Sequence, residues 1–142
     1  MKYDRNIWRG NWLSCINELT SLNLQKQCWL DKTNTNPHWS FVEFMCCYFD
    51  DLAIEDNYKY PLENGWLAKQ EFEIIKDWHE SLGKYESPNN NDYDHQAILS
   101  DSRWLDILQM GLAMKSKLEA ILDENERRIL TENIYYTRFA QQ

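Results

Sequence analysis

With 142 residues, 43% of them hydrophobic, and a net charge of −8, the chain can bury one sizeable core and needs no disulfide, metal or cofactor to hold it. The acidic balance speaks against direct nucleic-acid binding, which requires Lys and Arg to neutralise phosphate, and against an anionic membrane surface; it favours a basic protein partner. The four cysteines, Cys15, Cys28, Cys46 and Cys47, form no C-x-x-C pair, the N-terminus opens no secretory h-region, and the longest apolar run, residues 44–49, is far too short for a membrane span, so a cytoplasmic protein with reduced thiols is expected.

Only four glycines and three prolines punctuate the chain, which suits helices rather than hairpins. Asp4 is a candidate N-cap for a first helix over about 5–22, with a buried stripe of Ile7, Trp8, Trp12, Cys15, Ile16 and Leu19 at helical spacing. Asn23 can cap a short second helix carrying Leu24, Cys28 and Trp29, and residues 31–36 read as a polar loop. Asn36-Pro37 then reads as N-cap and first turn of a third helix over about 37–50. Its apolar residues lie on nearly every side, so it is expected to be the central helix, covered by neighbours.

An acidic, tyrosine-containing loop follows, and Asn64 is expected to cap a fourth helix over about 65–82, with Trp66, Leu67, Phe72, Ile75, Trp78 and Leu82 inward and Gly83 as its stop. Residues 86–94 are poor in apolar side chains and are expected to form a mobile loop. Asp101 or Ser102 starts a fifth helix over about 102–124, with Trp104, Leu105, Leu108, Leu112, Leu118, Ile121 and Leu122 inward. Residues 125–142 fit either a helical extension or an aromatic tail. The expected fold is therefore one all-α domain, a bundle of about five to six helices around helix 37–50.

No nucleophile stands in a recognisable motif beside His38, His79 or His95, and no Gly-rich phosphate loop or H-E-x-x-H occurs. His38 is placed at a helix start, where a proton is disfavoured, and His79 at the edge of a core face. Cys46 and Cys47, inside the most apolar run, read as small buried hydrophobes. Asp50 and Asp51 end a helix where the macrodipole disfavours carboxylates, so they call for partners. Because adjacent residues diverge by ~100° on a helix, Asp50 is assigned to an internal ion pair and Asp51 to a partner surface. The loop beyond them sets Glu55, Asp56 and Glu63 against the single Lys59 and interleaves Tyr58 and Tyr60. Exposed tyrosine amid acid is an interface composition.

Several of these residues also carry a resemblance. Gln27-Cys28-Trp29, Pro37-His38, Phe49-Asp50-Asp51-Leu52, Gly65, Glu71 and Asp101-x-x-Trp104 resemble the spaced landmarks of small bacterial helical proteins, among them immunity proteins of contact-dependent growth inhibition and related polymorphic toxin systems. The resemblance spans about residues 24–110. It implies a non-enzymatic antidote, a monomer or weak homodimer, that binds its cognate toxin domain. A basic nuclease domain would complement the chain's charge. The partner-binding residues are nominated on composition alone: Asp51, Glu55, Asp56, Tyr58, Tyr60 and Glu63. The alternatives are a small metal-dependent hydrolase using Asp50, Asp51, His38 and Glu71, and a homo-oligomeric structural module assembled through the tail.

Overall fold

The computed structural model describes residues 4–139. Among them the secondary structure is all-helical, divided more finely than five or six elements. The helices are α1 (Arg5–Leu19), α2 (Leu22–Trp29), α3 (Phe41–Phe49), α4 (Glu55–Glu63), α5 (Lys69–Lys84), α6 (His95–Leu99), α7 (Ser102–Glu119) and α8 (Glu124–Thr131), with a 3-10 turn at Pro88–Asn90. None of these helices is long and apolar enough to cross a membrane.

Capping chemistry explains where most of them start. Asp4 accepts from the Ile7 N–H at 2.8 Å and opens α1, and Asp101 accepts from the Arg103 N–H and opens α7. Elsewhere the cap is not the one expected. Ser21, not Asn23, caps α2. Ser40 Oγ accepts from the Glu43 N–H at 3.1 Å, so α3 begins at Phe41. The pattern Ser-x-x-Glu is a capping-box signature. Asn36 is occupied differently: its side-chain oxygen accepts from the His38 N–H at 3.2 Å and holds a turn ahead of the helix.

Asn64-Gly65 ends a helix rather than starting one. Gly65 takes φ +71°, the Trp66 N–H reaches the Pro61 carbonyl at 2.9 Å and the Gly65 N–H reaches Leu62 at 3.3 Å. That is the Schellman arrangement, in which a left-handed glycine lets the chain turn back over the last carbonyls. α5 then starts at Lys69, where the Glu71 carboxylate accepts from the Ala68 N–H at 2.9 Å. It runs past Gly83 to Lys84. The expected helix 102–124 stops at Glu119, and Asp123 caps the separate α8.

The hub is α1, not the apolar α3. α3 buries only Phe41, Phe44 and Tyr48 of its nine residues. α1 packs against α2, α3, α7 and α8, and Trp8, Trp12, Leu13 and Ile16 are 0% exposed. Its stripe is as expected except that Ile7 faces outward, 47% exposed. α1 and its C-cap Thr20 also bury polar groups, those of Arg9, Asn17, Glu18 and Thr20, and each of them is paired. The Asn17 amide donates to the carbonyls of Ile129 and Glu132, its oxygen accepts from Lys115, and the Thr20 hydroxyl donates to the Ile16 carbonyl. Burial of these four polar side chains is tolerated because each finds a hydrogen-bond partner.

After α8 the chain neither extends the helix nor leaves the body. The Tyr136 hydroxyl donates to Asp31 at 2.8 Å, its ring packs edge-on against Trp39, and the Thr35 N–H donates to the Arg138 carbonyl at 2.8 Å. The tail thus lies along the loop between α2 and α3. Residues 140–142 of the expected tail lie outside the described residues.

Leu112 and Ile121, expected inward on the long C-terminal helix, are exposed, and beside Leu112 it is Gly111 that is buried, in line with Trp104, Leu108, Met114 and Leu118. A Cβ at Gly111 would come within 2.8 Å of both Trp78 Nε1 and Thr20 Cγ2. Gly111→Ala is expected to lower stability by about 1–3 kcal/mol, as overpacking does. A urea melt with an unchanged midpoint would show that α5 and α7 separate freely.

Candidate functional site

The segment from the end of α3 to the end of α4 carries the nominated partner-binding residues, and its backbone is unusual. Ala53, Asp56, Asn57 and Tyr58 take φ of +53°, +54°, +57° and +64°. Each non-glycine residue in that region costs roughly 1–2 kcal/mol. What compensates is burial at both ends of the turn: Leu52, Ile54 and Tyr58 are at most 2% exposed, Trp8 Nε1 donates to the Leu52 carbonyl at 2.7 Å, and the Tyr58 N–H reaches the Ile54 carbonyl at 3.0 Å. The left-handed turn pushes Glu55, Asp56 and Asn57 outward. The right-handed part of α4 follows it, so Pro61 falls in a first turn, where its missing N–H is harmless.

Asp51, Glu55, Asp56, Tyr60 and Glu63 are exposed on this crest. Tyr60 is 51% exposed and rests edge-on against Trp66. Tyr58 is a correction: it is wholly buried and cannot touch a partner. Its hydroxyl accepts from Trp12 Nε1 at 3.1 Å and meets the Tyr48 hydroxyl at 2.5 Å, which in turn meets His79 Nδ1 at 2.9 Å. Burial raises both tyrosines and lowers His79. These groups form an internal polar network.

The internal ion pair expected for Asp50 is not formed among the described residues. Asp50 is exposed at the C-cap of α3 and interacts instead with the Cys46 thiol one turn back. Glu71, a candidate acid or base on the hydrolase alternative, is committed to the interior. Arg9 donates to both its carboxylate oxygens, at 2.9 and 2.6 Å, to both oxygens of Glu126, at 2.5 and 3.2 Å, and to the Trp66 carbonyl at 2.9 Å. One guanidinium therefore ties α1 to α5, α8 and the loop between α4 and α5. Among the described residues no three His, Cys, Asp or Glu side chains converge to hold a metal ion, so Asp50 and Asp51 have no ligand set around them.

Asp51 leads instead into a cleft of about 700 Å³ between α1, α3 and the chain after α8. Its wall brings together three residues far apart in sequence: Glu18 on α1, His38 in the turn before α3, and Cys47 on α3. His38 Nε2 and Glu18 Oε2 are 2.6 Å apart. The imidazole sits edge-on to Trp39 and against Phe44, with centroids 4.8 and 5.6 Å away. The expectation that His38 disfavours a proton is overturned. It precedes the helix rather than starting it, and its pKa is raised to about 10 by its interaction with Cys47 and then by the hydrogen bond to Glu18, against the opposing effect of burial. Cys47 is half-buried, not sealed in the core as expected. Sequence spacing carries no trace of this cluster; the one hint is an acidic residue, Glu18, on a helix whose neighbouring positions are all buried.

The chain matches no family model, and comparisons with curated proteins and with solved structures find no match either.

Proposed function

We propose that the chain is a toxin-neutralising antidote that works by binding, as its resemblance to immunity proteins implies, and that the crest of Asp51, Glu55, Asp56, Tyr60 and Glu63 contacts a basic toxin domain. The observation that carries this is that all four carboxylates are exposed and none has an ion-pair partner among the described residues. On α5, by comparison, Glu73 is matched with Lys76 and Glu80 with Lys84, while Asp77 on the same helix is exposed without an ion-pair partner among the described residues, so what sets the crest apart is the close spacing of its four acids. A strained but well-anchored turn holds Glu55 and Asp56 outward, and strain of this kind gathers at functional segments. The cost of ordering the loop is already met in the free protein, which favours affinity. A cytoplasmic location and a monomeric or weakly dimeric antidote fit such a role.

Reversing Glu55 and Asp56 to Lys together is expected to slow association with the cognate toxin domain by on the order of 10-fold at low salt, and by less at high salt, where screening has already removed the steering. Thermal stability is expected to fall by no more than about 1 kcal/mol: both side chains are exposed, but Asp56 stands at φ +54°, where Lys is less at ease than Asp. Binding kinetics at two salt concentrations, with growth protection as the cellular readout, measure this. Unchanged kinetics in a folded double variant would place the contact elsewhere.

A further inference from the structure

The cleft beside the crest carries an unbalanced set of charges. Three carboxylates from different parts of the chain line it: Glu18 on α1, Asp51 just after α3 and Glu132 at the end of α8. Among the described residues no Lys or Arg lines it. Its one basic group, His38, already lies 2.6 Å from Glu18 Oε2. Asp51 and Glu132 have no ion-pair partner among the described residues. Glu18 itself lacks a donor. The residue is 9% exposed, yet its other carboxylate oxygen, Oε1, accepts no hydrogen bond among the described residues. The sealed unpartnered side-chain atoms are the indole nitrogens of Trp29, Trp39 and Trp78. Glu18 Oε1 is not among them, so it opens on the cleft that Glu18 lines. An acceptor withdrawn from bulk water in this way calls for a donor.

We propose, resting on the antidote reading above, that this cleft is the socket for an arginine-bearing segment of the basic toxin domain. Charge complementarity selects a cation. Continuity selects the toxin, because Asp51 belongs both to the crest and to the cleft lining. A partner docked on the crest therefore meets the mouth of the cleft.

The lining suits arginine better than lysine. A guanidinium presents its N–H donors in a planar fork that can serve more than one carboxylate oxygen, whereas an ammonium is a strongly hydrated point charge. Its hydrocarbon stem needs apolar wall, which Ile129 and Ile134 provide, both only partly buried against the core. Its plane stacks on aromatic rings, and Tyr135, 84% exposed, stands at the rim. The volume of about 700 Å³ exceeds that of one side chain and leaves room for the residues flanking the arginine. Charges on the crest then govern how fast the partner arrives, and the buried pair in the cleft governs how slowly it leaves.

The test uses the full chain, with the cognate toxin domain in binding kinetics and N-acetylargininamide as a small probe in NMR. Glu132→Lys and Ser14→Arg each put a cation at the cleft, and both side chains are exposed, so the fold tolerates them. Each is expected to speed toxin dissociation by on the order of 10-fold or more. Asp77→Lys makes the charge change of Glu132→Lys on the exposed side of α5 and is expected to leave dissociation unchanged. The probe is expected to shift the backbone amides of Asn11, Ser14 and Asp51 saturably, and the uncharged N-acetylnorleucinamide to shift none of them. Unaltered dissociation in both cleft variants, equal acceleration in Asp77→Lys, or probe shifts that are absent or equal for the two compounds would each overturn the socket. If the Glu55 and Asp56 reversal slows association while the cleft variants dissociate like wild type, the socket fails and the crest contact stands. If that reversal is silent while the cleft variants release the toxin, the crest contact fails and the socket stands. A wild type that does not bind the toxin domain overturns the antidote reading and the socket with it.

Discussion

Arg9→Ala is expected to destabilise the fold by at least about 3–5 kcal/mol, the cost of breaking a buried ion pair by removing one partner. Arg9 is 2% exposed and its guanidinium faces two carboxylates, Glu71 and Glu126. Without it both lose their counter-charge, and Glu71 is itself buried. Replacing Arg9 and Glu71 together by apolar residues of similar shape is expected to recover part of the loss, because no uncompensated charge is then left at Glu71. The same clamp sets an acid limit. Burial pushes the Glu71 carboxyl upward, but the Arg9 hydrogen bonds and the Ala68 N–H outweigh it, and the net shift is downward. The folded chain therefore binds this proton less readily than the unfolded one. Its contribution is complete above the unfolded value near about 4.3 and is lost as pH falls through the lower folded value. Urea melts from neutral pH downward should show a decline that Glu71→Gln makes shallower. An Arg9→Ala protein within about 1 kcal/mol of wild type, the range of an exposed pair, would show that the clamp does not hold these helices together.

Tyr58→Ala is expected to cost about 3–5 kcal/mol, as deletion of a fully buried aromatic does, and Tyr58→Phe about 1–3 kcal/mol, because it strands a buried donor. The donor is Trp12 Nε1, whose acceptor is the Tyr58 hydroxyl. The ring also packs edge-on against Trp8 and His79. His79 at the far end of the network is kept neutral by burial. Its depressed folded value means that its contribution is present above the ordinary histidine value of about 6.5 and fades as pH falls through the folded one. Thermal and urea melts of the two variants at neutral pH measure the first effect. Tyr58→Phe is also expected to leave toxin association unchanged, since the hydroxyl is internal. An altered association rate without a stability change would return Tyr58 to the contact surface.

Much of the local structure was legible. The Asp4 and Asp101 caps, and the inward positions of Trp8, Trp12, Ile16, Ile75, Trp78, Trp104 and Leu118, follow from spacing and side-chain type, and the structure places them there. So does the exposure of Glu55, Asp56, Tyr60 and Glu63. The errors share a cause. Asn64-Gly65 suits either end of a helix, and only the carbonyls of Pro61 and Leu62 lying within reach make it a stop. Asn36-Pro37 suits a helix start, but Ser40 supplies the cap.

What the sequence by itself determined is the all-helical class, most of the core composition and the acidity of the crest, because periodicity, caps and charge are local properties. Which helix is central was decided by tertiary structure. α3 is the most apolar helix yet stands half-exposed, whereas α1 is buried together with Arg9, Asn17 and Glu18, since their partners arrive from distant parts of the chain. The same holds for Tyr58, carried inward by a left-handed turn that composition does not announce, and for the meeting of Glu18, His38 and Cys47 in one cleft. Hydrogen bonds between residues tens of positions apart decide these features, and no local pattern encodes them.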